Sequence, residues 1–596
     1  MSARPSRLVA FGARAAPTVP SIWAFIAYLG LAIVLFSSSW VNPTYLSVGK
    51  AGDPELFMWL LAWVPYSISH LVNPLFTNFL IYPQGANLMW TLIPIVPGVL
   101  LSPVMVWLGP VVTYNVLMTL ALAASAWCAY VAIHALVGDR VGAILGGLLY
   151  GFSPYMLAHS LGHPNLVIAV TPPLALLILT ELFVWQRRPA WQAGLALGGL
   201  AIAQLLTTPE ILLTTAFVGA LGALELIALR HREVGSRLRH AALGSAVALL
   251  VFVPLAVLPV AYLFFGPQHI HGVVRQQDIF VTDLLNFIVP TPVMLLVPAA
   301  VAAASGAWTG GIAEANGYVG IPLIALLGLA TILWRSSLIV LWSAILGCAI
   351  ALLSLGPHLH VGGAIHFHIP LPWLALQKLP LFDNVLPARL MLFFYLFAGI
   401  AVAVFVRELR LKATGWKMWA GWVWIGASLL TLLPAVPWSA TPNAVPEFFS
   451  GRAVARVPDG SVALVAPFAT SIGFQSGPGQ DSTNHAMLWQ LASNMRYRMP
   501  EGSLIVPDVN GVSTGGGPPA SATQTAMIAI QRGENAPEMT TGLRASIAAD
   551  LHRWQVRTVI VGPMYNQAAM ATFFASLLER EPQAVGGVLV WWDVQL

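Results

Sequence analysis

"IWAFIAYLGLAIVLFSSSW", residues 22–40, is an uncharged run long enough to cross the hydrocarbon core of a bilayer as a helix. It exceeds a signal-peptide apolar region and leads into "VNPTYL" (41–46) rather than a small-residue cleavage site, so it reads as an uncleaved first span. Arg4, Arg7 and Arg14 precede it and hold the N-terminus on the cytoplasmic side. Similar runs recur along the 596 residues, of which 58% are hydrophobic and only 9% charged. That composition excludes a soluble globular chain.

Working outward, apolar segments fall at about 22–40, 90–108, 110–136, 141–158, 165–185, 191–206, 209–229, 241–265, 319–334, 338–355, 388–406 and 416–438. If all crossed, "RHREVGSRLRH" (230–240) and "RELRLKATGWK" (407–417) would lie opposite the N-terminal arginines, against the positive-inside bias. One segment therefore does not cross. Residues 90–108 are interrupted by Pro94, Pro97 and Pro103, each freeing backbone groups that a lipid-exposed span cannot satisfy, and are read as re-entrant or interfacial. The fold class is then a polytopic α-helical membrane protein with about 11 transmembrane helices, re-entrant or amphipathic outer-loop helices, and a C-terminal α/β domain outside the cytoplasm.

The expected division is a cytoplasmic tail (1–21), a transmembrane domain (22–438) with outer loops at 41–112, 266–318 and 356–387, and the extracytoplasmic domain (439–596). In that last part charges return and helix and strand alternate. "SVALVAPF" (461–468), "GSLIVPD" (502–508), "VRTVIVGP" (556–563) and "GGVLVWWDV" (586–594) read as strands of a small parallel sheet. Residues 485–495, 541–554 and 567–580 read as helices. The basic residues sit in short loops, so a sequence pI near 9.3 reflects topology and no nucleic-acid partner is expected. Cys128 and Cys348 fall in apolar segments without metal-ligand spacing and read as packing residues. The glycine-rich "NGVSTGGGPPAS" (510–521) has neither dinucleotide nor Walker spacing and reads as a loop.

The outer side collects the ionisable residues, which in a membrane protein marks a candidate site. "GDPE" (52–55) offers two carboxylates. Asp53 suits a helix N-cap with Pro54 behind it, or, with Glu55, a general base and its partner. His159 and His163, four residues apart, share a face if their helix continues, and would bind a metal or donate to phosphate. Glu210, Asp283 and Glu314 are candidate contacts to a polar substrate, against helix-start or loop roles. "HLHVGGAIHFH" (358–368) alternates histidines along one face of an extended segment. Arg389 sits where the positive-inside bias disfavours it. A lipid phosphate would suit its guanidinium, with snorkelling or pairing to Asp383 as the structural alternative.

A first span, an outer loop opening on "GDPE", amphipathic helices in that loop, an arginine-marked late span and an outer C-terminal domain together resemble the GT-C glycosyltransferases. Within that group the likeness is to bacterial protein O-mannosyltransferases and the aminoarabinose transferase of lipid A. The resemblance covers roughly residues 20–440. It implies an inverting transferase of the bacterial cytoplasmic membrane that moves a sugar from a polyprenyl-phosphate donor to an acceptor hydroxyl on the outer face. It places the role of base, or of metal-coordinating residue, on Asp53 with Glu55 assisting, and the hold on donor phosphate on Arg389; His159 and His163 are further donors to that phosphate by their own chemistry. The acceptor, whether glycan, lipid or protein, is open. Asp-Pro-Glu departs from a plain acidic pair, which leaves metal dependence open with Mg or Mn as the candidate cations. A lipid or polysaccharide transporter or flippase, and a non-catalytic envelope assembly protein, are the competing classes; the first would keep its charges near the bilayer midplane and show paired broken helices.

Overall fold

A computed structural model describes residues 22–471 and 484–595. The N-terminal arginines and the tail 1–21 lie outside the described residues. The chain divides into two compact units, the first comprising residues up to Ser37, Leu117–Ala256 and Gln276–Trp438, the second Ser38–Val116, Val257–Arg275 and Ser439–Leu596.

The first unit is helical. Among the described residues of the whole chain, six helices are long and apolar enough to cross a membrane: Ser102–Val137, Arg140–His159, Pro164–Trp185, Pro209–Glu233, Leu238–Phe265 and Pro387–Lys412. Shorter apolar helices include Ile22–Leu35, Ala190–Leu205, Ile321–Leu333 and Leu338–Ser354. The chain is thus a polytopic helical membrane protein. Helix Pro387–Lys412 is the most enclosed of the six. It lies so close to Arg140–Gly151 that a Cβ added at Gly142 would come within 2.6 Å of the Ala403 carbonyl, and one at Gly146 within 2.7 Å of the Gly399 carbonyl. In lipid, where burial between apolar helices gains little, such small-residue contact is what joins helices. Asp139 caps the helix through the Gly142 N–H (2.7 Å) and pairs with Arg410 (2.5 Å).

Residues 356–370 fold back as a hairpin, His358–Val361 against Ala364–Pro370, so the alternating histidines occupy two paired strands rather than one extended face. Cys128 is buried and Cys348 exposed.

In the second unit, segment 90–108 is not one helix: turns precede Ile95–Leu100, and the helix from Ser102 breaks at Gly109 (φ 81°, ψ 178°) ahead of Pro110. Leu46–Val48 pairs antiparallel with Ala440–Pro442, which joins the first outer loop to the start of the C-terminal region. Helix Asp53–Ser69 packs on Ile95–Leu100, where Gly98 meets Val64, and on His485–Ala492.

The C-terminal sheet has the order Val462–Ala466, Val556–Val561, Val588–Trp591, Gln583–Val585. Only the first pair is parallel; the others are antiparallel, so the sheet is mixed where a parallel one was expected. The reason is local: Gly586 and Gly587 (φ 58° and 85°) make a two-residue hairpin turn, which reverses the chain. Residues 502–508 form no strand, only an isolated bridge from Pro507 to Ser513. Helices Ala522–Gln531, Thr541–Trp554 and Gln567–Leu578 bury Met527, Ile547, Leu551 and Phe574 against Leu464 and Val559.

Candidate functional site

In the first unit the structure brings four of the sequence candidates onto one another. Glu210 opens helix Pro209–Gly235, Arg389 lies at the start of Pro387–Lys412, His159 closes Arg140–His159, and Glu314 comes from the loop before Ile321. Arg389 is the hub. Its Nη1 donates to Glu210 Oε2 (2.5 Å), its Nη2 to Glu314 Oε1 (2.6 Å), and its Nε to both oxygens of Glu314 (3.1 and 3.3 Å). The fork geometry of guanidinium and carboxylate accounts for the side-on grip on Glu314. Asp383, the alternative partner offered by sequence, instead accepts from the Asn384 side chain.

Burial alone would raise the Glu314 carboxyl, but the Arg389 charge outweighs it and holds Glu314 down at about 2. With both carboxylates ionised, the trio carries one net negative charge. Of the guanidinium's five N–H groups, three point at carboxylates, leaving one hydrogen on each terminal nitrogen.

His159 and His163 sit beside this trio. His159 Nε2 lies 3.9 Å from Glu314 Oε2 and 3.2 Å from Asn316 Nδ2, while its Nδ1 faces His163 Nδ1 at 3.1 Å. One tautomer satisfies these contacts: neutral His159 accepts from Asn316 at Nε2 and donates from Nδ1 to His163. Ligand atoms of His159, His163 and Glu314 lie within 4.8 Å of one another, and Asn316 Oδ1 and Glu210 Oε1 are buried without a hydrogen bond. Two imidazoles and a carboxylate, in a negatively charged pocket with orphaned oxygens, fit a divalent cation.

The second unit holds the "GDPE" pair. Gly52, at φ 114°, is the residue before the helix, so Asp53 is its first residue and not the N-cap. The capping contact belongs to Glu55, whose Oε2 accepts from the Gly52 N–H (3.0 Å). Glu55 is buried and Asp53 half-buried. Glu55 Oε1 lies 3.6 Å from His485 Nε2, and the Asn484 side chain donates to the Gly52 carbonyl (2.7 Å). The Tyr114 hydroxyl is buried and feels both acids.

Asp283 stands apart from the Arg389 group. Its carboxylate accepts from the N–H groups of Leu285 (2.9 Å), Gly362 (3.0 Å) and Gly363 (2.8 Å), tying the loop to the turn of the histidine hairpin. In that hairpin His358 pairs with Asp278 (2.9 Å) and His360 meets Thr309 (3.2 Å). Asn316 was visible only as a neighbour of Glu314, and sequence reasoning missed Tyr114, Asn484 and His485. Each of those three is brought in by a contact far along the chain, and no local spacing marks it.

The fold is similar to that of the arabinofuranosyltransferase AftD from Mycobacteria, seen by cryo-EM in a mutant form, with a TM-score of 0.55 at 15% identity over 96% of this chain and 41% of AftD. The oligosaccharyltransferase of Archaeoglobus fulgidus in its apo form matches with a TM-score of 0.45 at 11% identity, over 90% of this chain and 69% of that one. The same archaeal enzyme, AglB, in complex with an inhibitory peptide and a dolichol-phosphate matches at 0.40 and 11%, over 91% and 69%. The chain spans well under half the length of AftD. The class is therefore a polytopic membrane protein with a fold like that of the arabinofuranosyltransferase AftD. Residues 25–425 match the model of DUF6311, a domain of unknown function, and the chain belongs to that family. No curated protein matches the sequence.

Proposed function

We propose that the protein is an inverting membrane glycosyltransferase that moves a sugar from a polyprenyl-phosphate donor to an acceptor hydroxyl. The observation that carries this reading is a head-and-tail arrangement in the first unit. An apolar pocket is lined by Thr215 and Val218 of the helix that Glu210 opens, and by Phe393, Leu396 and Phe397 of the helix that carries Arg389. At ~1.5 Å per residue, these positions lie roughly 6–12 Å further along the two helices than the charges. A polar, ion-lined head above an apolar chamber is what a lipid phosphate requires.

The reaction divides among this chain's residues as follows. Asp53 takes the proton of the acceptor hydroxyl, whose oxygen attacks the anomeric carbon. The bond from that carbon to the phosphate oxygen breaks, and its electron pair leaves on the polyprenyl phosphate. The capping duty of Glu55 leaves Asp53 as the carboxylate for this step. The hydrogens of Arg389 not directed at glutamates serve the donor phosphate, and Glu210 and Glu314 fix the guanidinium. His159, His163 and Glu314 would hold a divalent cation, which when bound would neutralise phosphate charge. Eleven crossings with a cytoplasmic N-terminus, in the bacterial cytoplasmic membrane, would set the C-terminal region and its acceptor, glycan, lipid or protein, on the outer face. Glu210, His159 and Arg389 lie at helix ends and Glu314 in a loop, rather than mid-helix, which favours this reading over a transporter.

The test is release of polyprenyl phosphate from labelled polyprenyl-phosphate sugars by purified protein. Asp53→Asn is expected to cut turnover by about 10²- to 10⁴-fold while leaving the thermal midpoint unchanged. Full activity in Asp53→Asn overturns the assignment of the base.

A further inference from the structure

Among the described residues, the C-terminal region brings His485 to Glu55 of the acidic pair. Helix His485–Ala492 is fastened to helix Asp53–Ser69 on both sides of that contact. At one end the Asn484 amide donates to the Gly52 carbonyl (2.7 Å), and at the other the Trp59 indole donates to Gln490 Oε1 (2.7 Å). Gln490 is itself held, its amide donating to the carbonyls of Tyr497 (2.8 Å) and Phe79 (3.0 Å). Between these anchors His485 Nε2 stands 3.6 Å from Glu55 Oε1. That separation is too long for a hydrogen bond and right for a charge pair. The carboxylate side chain is 1% exposed and the imidazole 14%. A buried carboxylate beside a second one, two residues away, is costly unless a cation faces it.

We propose that His485 is a positioning residue for the transfer reaction: as imidazolium it neutralises Glu55, so that Asp53 alone acts as the base. The proposal rests on the glycosyl-transfer reading above. Among the described residues, the other titratable groups at the pair are Asp53, on the same helix as Glu55, and Tyr114, whose hydroxyl feels both acids. When His485 is cationic, Glu55 remains ionised and keeps its bond to the Gly52 N–H, and its charge does not bear on Asp53. When that cation is lost, the two carboxylates titrate as a coupled pair and Asp53 retains its proton to higher pH. The C-terminal region thereby completes the acidic pair in addition to any part it has in holding an acceptor.

Two measurements on the full chain test this. Histidine side-chain NMR on selectively labelled protein in detergent follows the titration of His485, and Glu55→Gln is expected to lower its midpoint by about one pH unit, a tenfold change in proton affinity. An unmoved midpoint overturns the pairing, and this arm needs no turnover. The second arm is the pH–rate profile of polyprenyl-phosphate release. In His485→Gln the acidic limb is expected to move up by about one pH unit, whereas in His485→Lys, which keeps the cation, it stays at the wild-type position. A limb that does not move in His485→Gln overturns the positioning role. A midpoint that shifts in Glu55→Gln, together with a wild-type protein that turns over no donor, overturns the glycosyl-transfer reading and leaves the pairing intact.

Discussion

Two charged groups of the molecule, the Arg389 cluster and the Asp53–Glu55 pair, solve the same electrostatic problem differently. In the first unit, two glutamates face one arginine that is nearly enclosed, and the ion pairs are closed within the group. In the second unit, Glu55 spends one oxygen on a helix start and the other faces a histidine, while Asp53 remains half-buried at the helix entrance. A closed ion cluster fixes geometry; a half-exposed carboxylate exchanges protons. The contrast is the ground on which positioning is proposed for the first group and proton transfer for the second. It breaks most directly at Arg389. Arg389→Ala leaves two carboxylates facing each other without a cation, and a loss of about 3–5 kcal/mol of stability is expected, read as a collapse of folded protein in detergent. The triple change Arg389→Met, Glu210→Leu and Glu314→Leu removes every charge together. It is expected to restore folding to near the wild-type level and to leave no turnover. If the single variant folds as well as wild type, the closed-cluster picture fails.

A finer test uses acid. Glu314 titrates near 2 in the folded protein against about 4.5 for an unperturbed glutamate, so its carboxyl is depressed on folding. The stability it contributes is present above about 4.5 and is lost as pH falls from there through about 2. The thermal midpoint is therefore expected to drop across that window, and the drop attributable to this group disappears in Glu314→Gln. A drop that is unchanged in the variant assigns the acid sensitivity to other carboxylates.

How much of this was written in the sequence depends on the range of the contact. The membrane helices are legible because span length and apolar composition are local properties, and the ends of Arg140–His159, Pro164–Trp185 and Leu238–Phe265 fall within a few residues of the apolar runs. Glu210, Glu314, His159 and Arg389 were each visible as ionisable residues of the outer side, Arg389 alone as a misplaced charge. Their convergence was not, because Glu210 and Arg389 stand 179 positions apart and no periodicity links them. The same holds for Glu55 and His485, and for strand Leu46–Val48, which finds its partner at Ala440–Pro442. The mixed sheet is a different kind of miss. The Gly586–Gly587 pair was a local hairpin signal that an expectation of alternating helix and strand absorbed into a strand. The N-cap at Gly52 was likewise hidden, since Asp is the commoner cap and only the positive φ gives glycine the position.

Asp283 provides the smallest effect and the sharpest control, because it is a carboxylate near the membrane portion whose bonds all go to backbone. Three N–H groups converge on it, two of them from Gly362 and Gly363, which at φ 60° and 85° form the turn of the histidine hairpin. An asparagine there keeps one acceptor oxygen and turns an amide N–H toward a backbone donor. Asp283→Asn is expected to cost about 1–3 kcal/mol locally, read as faster hydrogen exchange at the Gly362 and Gly363 amides. Turnover should stay close to wild type, since the carboxylate meets neither Arg389 nor the histidine pair. Lost turnover with unchanged exchange at the two glycines would return Asp283 to the substrate-contact role that its sequence position offered. It would also show that bonding to backbone does not by itself separate structural carboxylates from functional ones in this fold.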